Sequence, residues 1–278
     1  MERFPHHIMA KRLVSLPMYD APELRKANKS FWLAMAKTLH KNGTENLPED
    51  LTAPIDLPSF WSDPRLIFGQ TCGYPLTHDL CGQAELIATP CYDSEHAEGP
   101  RYGSAIIVAA SSSIKTLIDA KNHVAAINGY DSNTGMNLFR ISLARAGACG
   151  DFFSKVIVTG SHRSSVDAVI MGEADIASID VVSLAHFKRF DPELLSKISI
   201  IAYTPKTPGL PFITSGAAAP NMIETLRHAL FSVISKTPRL DAVEVLMLKD
   251  AVVLPRTAYD EILALEEEAK ALGYPELK

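Results

Sequence analysis

Two turns in this chain carry residue types that can do chemistry. The first is Phe68-Gly-Gln-Thr-Cys-Gly-Tyr-Pro75, where Thr71 and Cys72 follow a short apolar run. Gly69-x-Thr71-x-Gly73 has the spacing of a nucleophile elbow, although serine normally holds the centre of that turn. Gln70-Thr71-Cys72-Gly73 also has the makings of a thiol-nucleophile loop, but such a loop wants a different residue order and a histidine about 50 residues upstream. His40 stands 32 residues before Cys72, within a helical pattern. A thiol or hydroxyl without an aligned base is weakly activated. The favoured reading of the turn is therefore a ligand contact through Gln70, Thr71 and Cys72.

The second turn, Ala126-Ile-Asn-Gly-Tyr-Asp-Ser-Asn-Thr-Gly-Met136, is the more informative. A strand ends near Asn128 and a helix begins near Thr134. The first N–H groups of a helix lack intrahelical partners, and the dipole there favours negative charge. Ser132, Asn133 and Thr134 add side-chain donors, and Gly135 lets a ligand approach the backbone. The plainer alternative is that Ser132 only caps the helix. The glycines fit neither a Walker loop nor a dinucleotide fingerprint.

Further candidates sit at strand ends. His162 follows a strand in Gly160-Ser-His and opens a helix, at the carboxyl edge of the sheet, where open α/β sheets place ligands. Asp180 ends another strand, where ligand contact competes with N-capping of the next helix. Tyr19 and Tyr102 end or begin strands earlier in the chain, and each is equally readable as packing.

The elements that must position these residues follow from periodicity. Residues 12–18 read as a strand, and Leu24, Ala27, Phe31, Met35 and Leu39 recur at helical steps before Asn42-Gly43. Strands are predicted at 65–68, 84–88 and 103–109. Strand and helix then alternate: helix 114–120, strand 124–127, helix 134–146, strand 155–159, helix 164–171, strand 174–179, helix 182–188 and strand 198–203. This alternation predicts an α/β fold around a mostly parallel sheet. Pro205, Pro208, Pro211 and Pro220 mark a crossing segment. Helices are predicted at 220–235, 239–248 and 257–272, the last opened by Thr257-x-x-Asp260 as a capping box. The expectation is two lobes joined by two crossings, one formed by residues 1–104 plus 203–278 and the other by residues 105–202. A cleft between such lobes favours ligands.

Composition narrows the class. The chain has 278 residues, 47% hydrophobic and 21% charged, with 27 basic and 32 acidic side chains for a net charge of −5. That balance fits a globular protein, and without a cationic surplus or stripe it argues against nucleic-acid binding. The longest uncharged stretch, Thr207 to Ile223, is interrupted by prolines and does not read as a membrane span. The first twelve residues have no apolar run of export-signal type. Cys72, Cys81, Cys91 and Cys149 are few and irregularly spaced, so the expectation is free thiols, no disulfide and no metal site. No cofactor is implied.

Taken in order, Leu16-Pro-Met-Tyr-Asp20, Phe68-Gly-Gln-Thr-Cys-Gly73, Asp131-Ser-Asn-Thr-Gly135, Gly160-Ser-His162, residues 172–180 and Thr204-Pro-x-x-Pro-Gly-Leu-Pro211 resemble the phosphate/phosphonate-binding proteins of ABC importers. The resemblance runs from about Leu13 to Phe231. It implies a two-lobed type II periplasmic-binding-protein-like fold, capture of a small anionic or polar ligand in the interlobe cleft, an ABC permease as partner and a periplasmic location. Without an export signal in the chain as written, a cytoplasmic location stays open. Residue by residue, the resemblance implies a phosphonate-binding turn at Ser132, Asn133, Thr134 and Gly135, with Asn133 where a small hydroxyl residue is usual. It implies further contacts through His162 and Tyr102, and places Asp180 near the far end of the ligand. The alternatives are a cytoplasmic enzyme on the same fold, using Cys72 and His162, or a ligand-sensing subunit.

Overall fold

Apolar strands of three to nine residues, several of them followed by a turn and a helix, build two separate sheets in this chain. The computed structural model describes residues 11–278; the N-terminal stretch read above for an export signal lies largely outside the described residues. The first part contains β1 (Leu13–Ser15), α1 (Arg25–Lys41), α2 (Leu57–Trp61), β2 (Leu66–Gln70), α3 (Gly73–His78), β3 (Ala84–Tyr92) and β4 (Arg101–Tyr102). The middle contains β5 (Ser104–Ala109), β6 (Val124–Ile127), α4 (Leu138–Arg145), β7 (Lys155–Val158), α5 (His162–Met171), β8 (Ile176–Asp180), α6 (Val181–Phe190), α7 (Pro192–Leu195) and β9 (Ile198–Tyr203). The return contains β10 (Thr207–Pro208), β11 (Phe212–Ser215), α8 (Pro220–Ile234), α9 (Asp241–Val245), β12 (Leu248–Val252) and α10 (Asp260–Ala271).

The first sheet has the order β1-β2-β11-β3-β12 and the second β7-β6-β8-β5-β9. Both are mixed rather than mostly parallel. In the second, β6 runs parallel to β7 and β8, but β5 is antiparallel to β8 and β9. In the first, only β1 and β2 are parallel. β5 and β11 are the strands by which the chain enters or re-enters a sheet from a crossing, whereas antiparallel β12 is reached through α8 and α9 of the same lobe. Between the sheets the two crossings pair as a short ribbon, with Thr207 of β10 opposite Tyr102 of β4.

The core of the first lobe is a run of aromatic rings. Trp32 lies 6.1 Å from Phe68, Phe68 5.1 Å from Phe212, and Phe212 6.3 Å from Phe31, each near-parallel. Helices α1 and α8 close over this face, and Leu226, Ala229 and Leu230 are fully buried in it. The second lobe buries Ile106, Val108, Ala125, Ile127 and Ile176 under the apolar face of α4.

Several elements differ from the periodicity reading. Residues 114–120 form only a 3₁₀ turn at Ile118–Ala120, and 239–248 shorten to α9 because β12 begins at Leu248. The Pro-flanked segment hides β11, a central strand of the first sheet. Thr257 makes no capping bond; a 3₁₀ turn at Arg256–Tyr259 leads into α10. The sequence reading returns residues 203–278 to the first lobe, and the end of that stretch behaves otherwise. Leu265 and Ala269 of α10, with Tyr274 and Leu277, join the core beneath α4 in the second lobe. The reason is that α10 straddles the lobes: Ile262 lies in the core with Leu76 and Tyr259 of the first lobe, and Leu265 and Ala269 lie in the core with Phe139 and Phe152 of the second.

Candidate functional site

Strand β6 ends into the turn that carries Ser132–Gly135. Ser132 is extended, and its Oγ accepts the N–H of Gly135 at 3.0 Å, starting a wide π-type turn over Asn133–Asn137 that runs into α4. Asn137 N–H reaches Ser132 C=O, five residues back, at 3.0 Å. The carbonyl of Thr134 is held from below by the hydroxyls of Ser104 at 2.9 Å and Ser178 at 2.7 Å. Gly135 is required here because a Cβ would collide with the side chain of Asn128.

Three site residues of the second lobe meet through hydrogen bonds. Thr134 Oγ1 lies 3.2 Å from His162 Nε2, and His162 Nε2 lies 3.2 Å from Asp180 Oδ2. Asp180 accepts only, so the network assigns the ring hydrogen to Nε2. His162 Nδ1 is buried without a partner. Burial pulls the His162 pKa below its usual value, and the Asp180 carboxylate only partly restores it. The imidazole is thus neutral at neutral pH, with its one N–H given to Asp180.

Asp180 does both things that the sequence offers as alternatives. Its Oδ1 accepts the N–H groups of Val182 at 2.9 Å and Ser183 at 2.7 Å, capping α6, and its Oδ2 accepts Ser183 Oγ at 2.6 Å. The same Oδ1 lies 3.2 Å from the hydroxyl of Tyr19, in the first lobe. Tyr19 Oη is in turn 3.3 Å from Tyr102 Oη, and both rings meet the edge of Tyr92. Burial, reinforced by the Asp180 charge, holds the Tyr19 and Tyr102 phenols far above their usual pKa. They remain neutral hydroxyls.

A second contact joins the lobes beside the turn. Asn133 N–H donates to Cys72 Sγ at 3.4 Å, and Asn133 Nδ2 donates to Thr207 Oγ1 at 2.8 Å. Burial pushes the Cys72 thiol up. Its partner is a backbone amide and not a histidine, so it lacks the aligned base that nucleophilic chemistry needs.

Of the residues singled out by sequence, Tyr19, Tyr102, Thr134, His162 and Asp180 form one connected set, with Cys72, Ser132, Asn133 and Gly135 beside it. Gln70 stands one step away, donating to Tyr92 Oη at 2.9 Å and to the carbonyl of Leu210 at 3.1 Å. Thr71 is fully buried; its hydroxyl reaches only the carbonyl of Cys72 at 3.4 Å and its N–H bonds Pro211. Its part is to hold the turn. Sequence reasoning missed Tyr92, Thr207, Ser104, Ser178 and His186. Only Thr207, a hydroxyl residue inside the crossing segment, carried a usable signal.

Chemically the arrangement is a ring of neutral donors around one carboxylate that is already saturated by five hydrogen-bonding partners. It can hold and orient an anion without a lysine or arginine at the contact. Among the described residues no group of three His, Cys, Asp or Glu side chains is placed to hold a metal ion, and no helix is long and apolar enough to cross a membrane. All four cysteines are free thiols, Cys72 and Cys91 buried and Cys81 and Cys149 exposed.

The family model for the phosphonate periplasmic substrate-binding protein of ABC transporters matches residues 66–250. No curated protein matches the chain. Among solved structures, the binding-protein component of an ABC phosphonate transporter from Pseudomonas aeruginosa superposes with a TM-score of 0.77 at 16% identity, covering 94% of this chain and 86% of that one. PhnD1 from Prochlorococcus marinus, in complex with methylphosphonate, gives 0.75 at 15% identity, covering 93% and 97%. XAC2383 from Xanthomonas citri, bound to ATP, gives 0.69 at 16% identity, covering 95% and 98%. These are two-lobed folds like this one, and the matched family is one of transport proteins that bind a substrate, not of enzymes. The chain belongs to the phosphonate periplasmic substrate-binding family of ABC transporters.

Proposed function

We propose that this substrate-binding protein captures a phosphonate- or phosphate-class anion between its lobes. The turn Ser132–Gly135 takes the anion from one side, with His162 packed against it, and the Tyr102 hydroxyl closes on it from the other. Asp180 accepts the hydrogens of His162 and Tyr19 and so fixes both side chains beside the turn. The observation that carries this reading is the chain of contacts Thr134–His162–Asp180–Tyr19–Tyr102, which links donors of both lobes through a single carboxylate. Binding energy then comes from charge-assisted hydrogen bonds and a helix-start dipole. The bound ligands of two similar structures, methylphosphonate and ATP, share a phosphorus oxyanion. The protein works in the periplasm and passes its ligand to an ABC permease.

Titration calorimetry with methylphosphonate, inorganic phosphate and acetate tests this. The expected order places one of the phosphorus oxyanions ahead of acetate by at least tenfold. His162→Gln weakens the preferred ligand by at least as much. Binding of acetate as tightly as either phosphorus compound, or binding of none, overturns the reading.

A further inference from the structure

A buried run of polar side chains leads from Arg140 on α4 to the site and ends on a hydroxyl. Arg140 on α4 is 5% exposed, and its Nη2 donates to Asn137 Oδ1 at 2.7 Å. Asn137, fully buried, donates through Nδ2 to Asn133 Oδ1 at 3.1 Å and to the carbonyl of Ile262 at 3.3 Å. Asn133 then donates through Nδ2 to Thr207 Oγ1 at 2.8 Å. The direction of every bond is fixed by chemistry. A guanidinium only donates, so Asn137 must present its oxygen to Arg140. The carbonyl of Ile262 only accepts, so the nitrogen of Asn137 must face the other way. Asn133 receives at its oxygen, which turns its own amide hydrogens toward Thr207.

Thr207 is therefore an acceptor on this side, and its hydroxyl hydrogen must go elsewhere. Among the described residues no acceptor takes it. Thr207 is 1% exposed, and a buried O–H without an acceptor is destabilising. It lies opposite Tyr102 across the ribbon of the two crossings and touches Asn133 of the anion turn. Hydrogen bonds in series polarise one another, and this series begins at the buried guanidinium of Arg140, which also lies 3.8 Å from the Glu266 carboxylate.

We propose that Thr207 is a ligand-binding residue that donates its O–H to an oxyanion oxygen, held in the donor state by Arg140 acting through Asn137 and Asn133. This rests on the anion site argued above and adds a specificity to it: the position takes an acceptor oxygen, and a charged one best. Arg140, Asn137 and Asn133 are positioning residues here, since Arg140 lies two turns from the site and its charge reaches the ligand only through the amides.

The probe is methylphosphonate, measured by calorimetry on the full chain. Thr207→Val keeps the shape and removes the hydrogen; loss of one bond to a charged oxygen weakens binding by about tenfold to a hundredfold. Thr207→Ser restores the hydroxyl and should bind within about threefold of wild type. Wild-type binding with Thr207→Val within twofold of it overturns the proposal and leaves the anion site standing. Failure of the wild type to bind any phosphorus oxyanion overturns the site, and the role of Thr207 with it. In an Asn137→Ala background the effect of Thr207→Val should shrink below about threefold; an undiminished effect overturns the relay. If Asn137→Ala does not fold, the side-chain nitrogen resonances of Asn133 and Asn137 in the wild type decide. They should shift together on addition of methylphosphonate, and stationary resonances overturn the relay.

Discussion

Cys72, at the head of α3 in the first lobe, accepts the N–H of Asn133 in the second lobe at 3.4 Å. A thiol in that position reports on the approach of the lobes. Cys81 and Cys149 are exposed, whereas burial raises the pKa of Cys72, and that of Cys91 to about 11. Iodoacetamide labelling followed by mass spectrometry should therefore modify Cys81 and Cys149 first. Methylphosphonate should slow Cys72 further and leave Cys91 unchanged. Equal slowing of both buried thiols would mean global stabilisation and no special place for Cys72.

Ser132 and Thr134 are expected to separate into different roles. Ser132 Oγ is occupied by the Gly135 amide, so Ser132→Ala should cost about 1 kcal/mol of stability, as for other helix caps. Thr134→Val breaks the contact to His162 and should weaken methylphosphonate about tenfold with little change in Tm. The double variant should lose at least tenfold in affinity. Calorimetry and thermal melts on the three proteins check this, and a double variant that binds like wild type removes the turn from the site.

A cationic His162 would lose its charge, and weaken anion binding, as pH rises through its pKa. Burial lowers its pKa, so the ring is already neutral at pH 7. The affinity ratio of wild type to His162→Gln should stay constant from pH 7 upward. Below the ordinary imidazole range, about 6.5, the ratio should grow as the ring gains charge beside an anion. A ratio that falls between pH 7 and 8.5 would show that the ring is charged there.

His186 gives a stability signal with a defined sign. It is 3% exposed with neither ring nitrogen bonded, packed against Tyr19 and Phe190, with Asp180, Glu23 and Arg189 as neighbouring charges. Desolvation pulls its pKa down to about 4. The unfolded chain takes up this proton near pH 6.5 and the folded chain only near 4, so stability is full above 6.5 and is lost as pH falls between those values. The upper bound is on the order of 3 kcal/mol. Urea melts should show His186→Phe losing less stability than wild type across that window. Parallel losses would mean that His186 is not desolvated in the folded protein.

The middle of the chain was legible because its signals are local. Lys155-Val-Ile-Val158 and Ile176–Asp180 are short apolar strands bounded by Gly160 and by a capping aspartate, and the structure has them where periodicity puts them. What sequence could not carry is pairing. Phe212–Ser215 is too short and too close to prolines to read as a central strand, and only its neighbours β2 and β3, far away in sequence, make it one. The same holds for the site. The turn at Ser132 announces itself by residue type, whereas the contact of Asn133 to Thr207 spans 74 positions. One local hint existed: Asn137 and Arg140 are strongly polar residues within an otherwise apolar helical face, and such residues are buried only when paired.

Ile262 of α10 touches both turns from behind. Its carbonyl holds Asn137, and its side chain sits so close to α3 that a Cβ on Gly73 would lie 2.5 Å from its Cδ1. The two helix heads that face each other at Cys72 and Asn133 thus rest on one shared wedge, and a side chain shortened at position 262 would take the backing from both at once.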